Sequence, residues 1–413
     1  MLSIWHSGFD NFVVVIELFT FADQLNKYLR MKNLLHCTGH RIMYEDIVRA
    51  DNCVLYDSKG NDYLDMESGV WCTSIGHSNS NVVNAISRQA AEIMHTGFCY
   101  LNPIVETVSH KILDITELKN GKVLFLSSGS EAVDLAIRIS KHATGRKRML
   151  TMHDSYLSAF GYFDSKDDWT FFDWLNGETL AECPFEEFAA FVFEPGSSSG
   201  FVRFPPKDMI VSIVGKIRSA GGLIICNEVT TGIGRTGRWF GYNHYDILPD
   251  IVAIGKGLGN GYPVSCVACS EKTSKNMDET FHYSQSHQND PLGASVANEV
   301  IDVIKKNNLI VESETKGAKI ISELNRIKNT YGIIKEIRGR GLMIAVDFIS
   351  KNGQSVAQLV NEQLLKQRII LARRPHSETF RIDPSLTIRD EDVNRFIDSF
   401  EYAVRVVCNL LVG

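Results

Sequence analysis

The sequence predicts an α/β fold: a large domain whose mostly parallel sheet is covered by helices, and a smaller α+β domain. Two observations support this. From residue 80 to 309, short apolar segments alternate with amphipathic helical segments, which is typical of buried parallel strands. Residues 310–413 contain longer helices and only a few strands. We therefore expect residues 80–309 to form the large domain, and residues 37–79 and 310–413 to combine into the smaller one.

The elements follow from the periodicity of apolar residues in chain order. A hairpin is predicted over residues 51–66, because two alternating segments flank a Ser58-Lys59-Gly60 turn. Strands of the large domain are predicted at 122–126, 188–193, 223–226, 250–254 and 264–269. Its helices are predicted at 80–95, 103–118, 131–142, 207–220 and 291–307. The last part is predicted to have helices at 313–329, 355–367 and 390–409, with strands near 333–338, 342–348 and 379–382.

Composition excludes several classes of protein. The 413 residues are 44% hydrophobic and carry a formal net charge of −6, so neither extensive disorder nor a nucleic-acid partner is expected. Nine cysteines are too few for a disulfide scaffold and favour free thiols in a reducing cytoplasm. The apolar run at residues 12–21 is about half a membrane span and lacks the basic start of a signal peptide. We expect residues 1–36 to be an extension that packs on the body or on a partner.

Four predicted strands end in polar residues that a structural core does not need. The first leads into Ser128-Gly129-Ser130-Glu131, where Ser128 and Glu131 have the spacing of a capping box. A helix N-terminus with small residues can bind phosphate, and an ordinary helix cap is the alternative interpretation. A second strand ends in Asn227, at the edge where α/β sheets bind ligands.

The third strand delivers Lys256 into a loop with glycines at 255, 257, 259 and 261. Lysine forms Schiff bases with carbonyl compounds, although a lone lysine in a flexible loop is usually a surface residue. The fourth strand places Tyr156 at the same edge of the sheet. Taken alone, Tyr156 is interpreted as a structural tyrosine at the edge of the core.

Together these motifs resemble the class III (ω-amino-acid type) aminotransferases of pyridoxal-phosphate fold type I, from about residue 50 to 410. The resemblance rests on the order of four motifs: Ser-Gly-Ser-Glu-Ala at 128–132, Glu-Pro-Gly at 194–196, Asn-Glu-Val-Thr-Thr-Gly at 227–232 and Ile-Gly-Lys-Gly at 254–257. It implies pyridoxal 5′-phosphate as the cofactor, a small-molecule amino donor, a 2-oxo acid or aldehyde as acceptor, and a homodimer with shared sites.

The resemblance also implies roles for individual residues. Lys256 matches the lysine that holds the cofactor as a Schiff base and moves the proton. Arg381 matches the arginine that binds a substrate carboxylate, and Trp71 matches an aromatic wall of the substrate pocket. The remaining matches concern the cofactor: Ser128, Gly129 and Ser130 at its phosphate, Tyr156 on its ring, Glu194 at its edge, and Ser286 reaching the phosphate from the neighbouring subunit. For Glu194 a purely structural role is equally open.

Two residues depart from the family pattern. Asn227 stands where the family usually has an aspartate facing the pyridine nitrogen, and a neutral amide cannot supply that charge. Thr230 stands where the family usually has a glutamine near the phenolic oxygen of the cofactor. A third difference concerns the substrate: the loop at 196–200 lacks the glutamate that covers the arginine in some family members, so Arg381 is expected to be unmasked.

Other interpretations remain open at this point. Enzymes related to this family racemise, epimerise or decarboxylate amino acids, and sequence motifs separate these outcomes poorly. Asn227 and Thr230 also suggest a weakly catalytic binding protein of the same fold, against which Lys256 argues. Cys266 and Cys269 lie within an apolar strand without a second ligand pair, so we expect a buried strand and no metal site.

Overall fold

The computed structural model describes residues 42–160, 166–174, 183–351, 353–373 and 377–412, together with Asn33, Leu35 and Leu180. The chain divides into a leading unit, Met1–Glu45, and a compact unit, Asp46–Gly413. The predicted extension at residues 1–36 lies outside the described residues except for Asn33 and Leu35. Within the described part of the chain, every helix is too short or too polar to cross a membrane.

A seven-stranded sheet forms the centre of the compact unit. Its strands are β4 (Lys122–Leu126), β5 (Arg148–Met152), β6 (Trp169–Phe172), β7 (Phe188–Phe193), β8 (Leu223–Asn227), β9 (Ile251–Ile254) and β10 (Ser265–Cys269). They lie in the order β4-β10-β9-β8-β7-β5-β6. Strands β5 to β9 are parallel, and β10 is antiparallel to both β4 and β9. The carboxyl ends of β4, β5, β7, β8 and β9 therefore share one edge.

Helices cover both faces of this sheet. They are α1 (Ser80–Glu92), α2 (Pro103–Thr116), α3 (Gly129–Thr144), α4 (Lys207–Ser219) and α5 (Pro291–Lys306). Successive strand residues point to opposite faces. Phe191 accordingly packs in one core cluster with Ile213 of α4, whereas Val192 packs in the other with Ala136 of α3. This alternation of buried residues explains why the strands are apolar throughout, as the sequence predicted.

Residues from both ends of the compact unit build a second sheet. Strands β1 (Ile47–Asp51), β2 (Val54–Asp57) and β3 (Asp62–Asp65) pair antiparallel, and β15 (Ile369–Ile370) joins β3 in parallel. A third sheet has the order β11-β12-β17-β16, from Ile334–Arg340, Met343–Phe348, Thr379–Ile382 and Ala372–Arg373. A short hairpin joins β13 (Ser350–Lys351) and β14 (Gln354–Ser355). The surrounding helices are α6 (Leu309–Tyr331), α7 (Val356–Lys366) and α8 (Asp390–Val412).

Most predicted elements are present, with shifts of a few residues at their ends. The helix predicted at 313–329 begins earlier, at Leu309, directly after Asn308 in a left-handed conformation. The strand expected before Tyr156 is β5, whereas β1, β6 and the two-residue strands β13 to β16 were not predicted, because they are short and carry little alternation. The domain boundaries at 36/37, 79/80 and 309/310 stay a prediction.

Candidate active site

Lys256 lies immediately after β9, at the edge where the parallel strands end. Its amine donates a hydrogen bond to Thr230 Oγ1 at 2.8 Å and lies 4.8 Å from the centroid of the Trp71 ring. Burial lowers the pKa of the Lys256 amine, while the nearby Glu194 carboxyl and Cys72 thiol oppose that shift. A lowered pKa favours the neutral amine, which is the nucleophilic form.

The turn before α3 lies against the Lys256 loop. Ser128 caps the helix: its Oγ accepts from Glu131 N at 3.3 Å, and Glu131 Oε2 accepts from Ser128 N at 2.7 Å. A Cβ atom on Gly129 would come within 2.5 Å of Val229 Cγ1, so this close approach requires glycine. The first N–H groups of a helix have no partner inside it and attract anions. The capping box predicted from the sequence is therefore present, at a terminus suited to phosphate.

Three predicted residues form one hydrogen-bonded chain beside this turn. Glu194 Oε2 accepts from Tyr156 N at 3.0 Å, and Asn227 Nδ2 donates to Tyr156 O at 3.0 Å. Glu194 and Asn227 are buried, whereas the Tyr156 side chain is 47% exposed. Burial raises the pKa of Glu194 to about 7, against the opposing effects of Ser198, the Tyr156 N–H and Lys256. Tyr156 thus offers a ring face at the site while its backbone is fixed.

Ser130 and Ser286 lie at the margin of this arrangement. Ser130 Oγ accepts from Ala159 N at 2.9 Å. Ser286 is exposed on a turn, and its neighbour Gln285 donates to Glu131 Oε1 at 3.0 Å. The turn therefore contacts the capping box of its own chain, and Ser286 stays exposed.

Trp71 forms the opposite wall on a turn of unusual backbone conformation. Residues Ser68, Gly69, Val70 and Trp71 have φ of 46°, 57°, 61° and 66°, a left-handed turn that costs about 1–3 kcal/mol for each non-glycine residue. Asp65 Oδ1 holds this turn by accepting from Glu67 N at 2.8 Å and from Ser68 N at 3.0 Å. The indole is 3% exposed, and no described residue accepts a hydrogen bond from its Nε1.

Arg381, on β17, stacks on the same indole. Its guanidinium carbon lies 3.8 Å from the Trp71 ring centroid, so Lys256 and Arg381 both contact one aromatic ring. The expectation that Arg381 is unmasked is wrong: Glu67 Oε1 lies 3.6 Å from Arg381 Nη2. The covering acid comes from the left-handed turn instead of the 196–200 loop, which is why a search of that loop missed it.

A second carboxyl near Arg381 was also missed. Asp383 is fully buried, and neither of its carboxylate oxygens has a hydrogen-bond partner in the described part of the chain. Burial raises its pKa to about 7, although Arg381 and Arg235 oppose the shift. The sequence did contain a signal, because Asp383 follows Arg381 by two residues and a strand places such residues on one face.

These residues fit pyridoxal phosphate. An amine, a helix N-terminus for phosphate, an exposed aromatic face and a buried amide surround one edge of the sheet. Gly129 and Gly255 allow the backbone to approach a ligand closely, and among the described residues the buried Trp71 N–H has no acceptor. When bound, the cofactor supplies an electron sink for carbon acids.

Comparisons with known proteins agree with this geometry. A family model for class III aminotransferases matches residues 37–158 and 176–404. An uncharacterized aminotransferase of Schizosaccharomyces pombe is 26% identical over 437 residues, covering 94% of this chain and 96% of that protein. The acetylornithine aminotransferase of Archaeoglobus fulgidus is 29% identical over 367 residues, covering 85% and 93%.

A solved transaminase from the marine bacterium Virgibacillus has the same fold, with a TM-score of 0.86, 23% identity, and coverage of 94% of this chain and 100% of that one. The family model spans most of the sequence and includes every residue that the sequence predicted at the site. The chain therefore belongs to the class III aminotransferases, enzymes that transfer amino groups with pyridoxal phosphate.

Proposed function

We propose that this aminotransferase moves an amino group from a carboxylate-bearing amino donor to a 2-oxo acid or an aldehyde. One observation carries the proposal: the Lys256 amine and the Arg381 guanidinium contact the same Trp71 ring, at 4.8 Å and 3.8 Å from its centroid. The Lys256 amine can act as a base and the Arg381 guanidinium can bind a carboxylate. Because both contact the same indole ring, they are close enough to act on one small substrate.

Lys256 is the proposed catalytic residue. Its lowered pKa lets the amine attach to a carbonyl and, once released by the donor, take the proton from the reacting carbon. Thr230 Oγ1 accepts a hydrogen bond from the Lys256 amine at 2.8 Å and so fixes its position. The planar guanidinium of Arg381 suits a bidentate bond to the substrate carboxylate.

The other residues hold the cofactor in this proposal. Ser128, Gly129 and Ser130 bind its phosphate at the N-terminus of α3, where the helix dipole favours an anion. Tyr156 stacks on its ring. Asn227 faces the ring nitrogen and is held in place by two bonds, from its Nδ2 to Tyr156 O at 3.0 Å and from Val229 N to its Oδ1 at 3.3 Å. Glu194 orients Tyr156 by accepting a hydrogen bond from its backbone N–H.

The names of the relatives indicate the chemical class of the amino donor. Relatives named acetylornithine aminotransferase and ornithine aminotransferase share 29% of their residues with this chain. These names support a donor that combines a carboxylate with an amine. The acceptor then needs a carbonyl that fits the same position against Lys256.

We further propose a homodimer in the cytoplasm, with Ser286 completing the partner's phosphate site. A run of exposed apolar side chains supports the dimer: Met94, Phe98, Tyr100 and Leu101. His95 lies within this run, and both His95 and His287 bond to Asp290, which joins the run to the Ser286 turn. Light scattering tests the assembly, and an active monomer contradicts it. No disulfide bond joins the eight described cysteines, which suits a reducing compartment.

The Lys256→Ala variant tests the proposed function. We expect the rate of amino transfer to fall by at least a thousandfold, with the visible absorbance of the attached cofactor lost and the far-ultraviolet circular dichroism unchanged. Lys119→Ala is the matched control, since Lys119 is an exposed surface residue. Wild-type turnover in Lys256→Ala would show that the site has been assigned to the wrong lysine.

A further inference from the structure

Two histidines and an aspartate meet on the surface beside the Ser286 turn. His95 follows the end of α1, His287 lies in the turn itself, and Asp290 directly precedes α5. One ligand atom from each of the three, an imidazole nitrogen or a carboxylate oxygen, lies within 4.8 Å of the other two. His95 and Asp290 are 195 residues apart, so the fold assembles this cluster and the sequence alone did not reveal it.

The two imidazoles contact opposite oxygens of one carboxylate. His287 Nδ1 lies 2.7 Å from Asp290 Oδ2, and His95 Nδ1 contacts Asp290 Oδ1. The ring centroids of the two histidines are 5.0 Å apart, and the rings are tilted by 48°. The Nδ1 atoms of both rings therefore converge on the same carboxylate.

Asp290 does not play the usual part of an aspartate at its position. It is the N-cap residue of α5, where such a side chain commonly accepts a hydrogen bond from the first turn of the helix, yet its carboxylate makes no such bond. The helix dipole still favours the ionised carboxylate. A negatively charged group is thus held at the surface and given over to the two histidines.

We propose that His95, His287 and Asp290 bind a divalent transition-metal ion, with Zn²⁺ as the best match to these ligands. Zinc takes imidazole nitrogen and carboxylate oxygen at about 2.0–2.2 Å, and three protein ligands leave its fourth position to water. Mg²⁺ and Ca²⁺ prefer ligand sets made of oxygen and are not expected to bind here. The site does not rest on the proposed function, because none of its ligands belongs to the proposed catalytic or carboxylate-binding residues.

The surroundings of the cluster allow a metal ion to enter. A tetrahedral zinc site brings its ligand atoms to about 3.4 Å from one another, somewhat closer than the 4.8 Å limit of this cluster. The side chains of His95 and His287 are 42% and 63% exposed, so their rings can turn without moving the core. A cavity of about 230 Å³, lined in part by Tyr262, His287 and Asp290, leaves room for the water ligand.

Calorimetric titration of Zn²⁺ into the cofactor-loaded enzyme tests the site, after metal is removed with a chelator and excess cofactor by dialysis. We expect one zinc ion per chain to be lost or bound at least tenfold more weakly in His95→Ala and in His287→Ala. His110→Ala is the matched control, since His110 pairs with Asp114 at 3.5 Å on an exposed helix and has no third ligand among the described residues. Equal zinc binding by all four proteins, or none by the wild type, overturns the proposal.

Cobalt gives a spectroscopic readout of the same ligands. Co²⁺ in a four-coordinate site absorbs visible light much more strongly than the six-coordinate ion in water, at longer wavelengths than the cofactor. We expect this absorbance in the wild type and its loss in Asp290→Asn, which keeps the shape of the side chain and removes its charge. An equally strong absorbance in Asp290→Asn would mean that the carboxylate is not a ligand, and the proposed site would be wrong.

The Lys256→Ala variant separates this inference from the proposed function. We expect Lys256→Ala to bind zinc as tightly as the wild type while losing amino transfer. Zinc binding that disappears with Lys256 would place the metal at the cofactor and overturn the proposed site. Full amino transfer by Lys256→Ala would refute the proposed function, whereas the zinc site would still be decided by the histidine variants.

Discussion

Replacing Asp383 with asparagine removes a buried carboxyl that has no hydrogen-bond partner among the described residues. The ordinary pKa of this group is 3.8, and burial raises it to about 7 in the folded protein. Because the folded pKa is the higher one, Asp383 makes no difference to stability below about pH 4, and the native state loses stability as the pH rises from about 4 to 7. An amide of the same shape does not titrate and escapes this loss.

The size of the effect follows from the two pKa values. At pH 5 the unfolded chain has ionised Asp383 while the native protein has not, which costs the native state about 2 kcal/mol. At pH 8 both states are ionised, and the full difference of about three pKa units costs about 4 kcal/mol. The stability of Asp383→Asn relative to wild type should therefore rise by about 2–3 kcal/mol between pH 5 and pH 8.

Urea unfolding of both proteins at pH 5, 6, 7 and 8, with cofactor saturating, measures this difference directly. Other titrating groups are common to both proteins and cancel in the comparison. Asp62→Asn is the control: its pairs with Arg368 and Arg395 lower the pKa of Asp62, so its effect on stability should be constant over this range. Parallel stability curves for Asp383→Asn and wild type would refute the reasoning.

Three further predictions concern the cofactor site. Gly129→Ala should weaken cofactor affinity at least tenfold, because the new Cβ would lie 2.5 Å from Val229 Cγ1. Adding Val229→Ala in the same chain should restore much of the affinity. A fluorescence titration that shows no such rescue contradicts the steric cause. Asn227→Asp removes the N–H that Tyr156 O accepts, so the cofactor-free protein should lose about 1–3 kcal/mol of stability, and an unchanged melting temperature would count against this contact. If Ser286 completes the partner's site, mixed dimers of Lys256→Ala and Ser286→Ala chains should bind cofactor in one site with wild-type affinity. Titration of purified mixed dimers checks this, and uniformly weak binding excludes a shared site.

The order of strands and polar loops could be predicted because local signals agree with the final fold. Strands β7 and β8 are continuous apolar runs, and Ser128 and Glu131 mark the start of α3 by their spacing alone. Lys256, Tyr156 and Asn227 follow predicted apolar segments directly, so a parallel sheet brings them to one edge. These positions could be predicted because they depend only on the periodicity of apolar residues and on motif spacings within a few residues of the chain.

The surroundings of Arg381 could not be predicted in this way. Glu67 and Arg381 are more than three hundred residues apart, and their ion pair depends on a left-handed turn that most residue types disfavour. Only Gly69 in that turn is suited to the conformation, and Ser68 is held in it by bonds to Asp65 Oδ1 and Asp383 O. Tertiary contacts therefore override local preference at this part of the site.

The bond from Ser68 Oγ to Asp383 O, at 2.6 Å, has a consequence for the order in which the protein becomes functional during synthesis. Every residue proposed to bind the cofactor except Ser286 lies at or before Lys256, so that edge of the sheet is complete while the last third of the chain is still being made. The Trp71 turn is translated earlier still, yet its holding contacts from Asp383 and from β15 to β3 arrive near the end. A nascent chain can thus form the edge of the sheet that binds the cofactor first, and the Trp71 turn that contacts the substrate last. Pulse proteolysis of ribosome-bound chains would detect this order as early protection of the central sheet and late protection of the Trp71 turn.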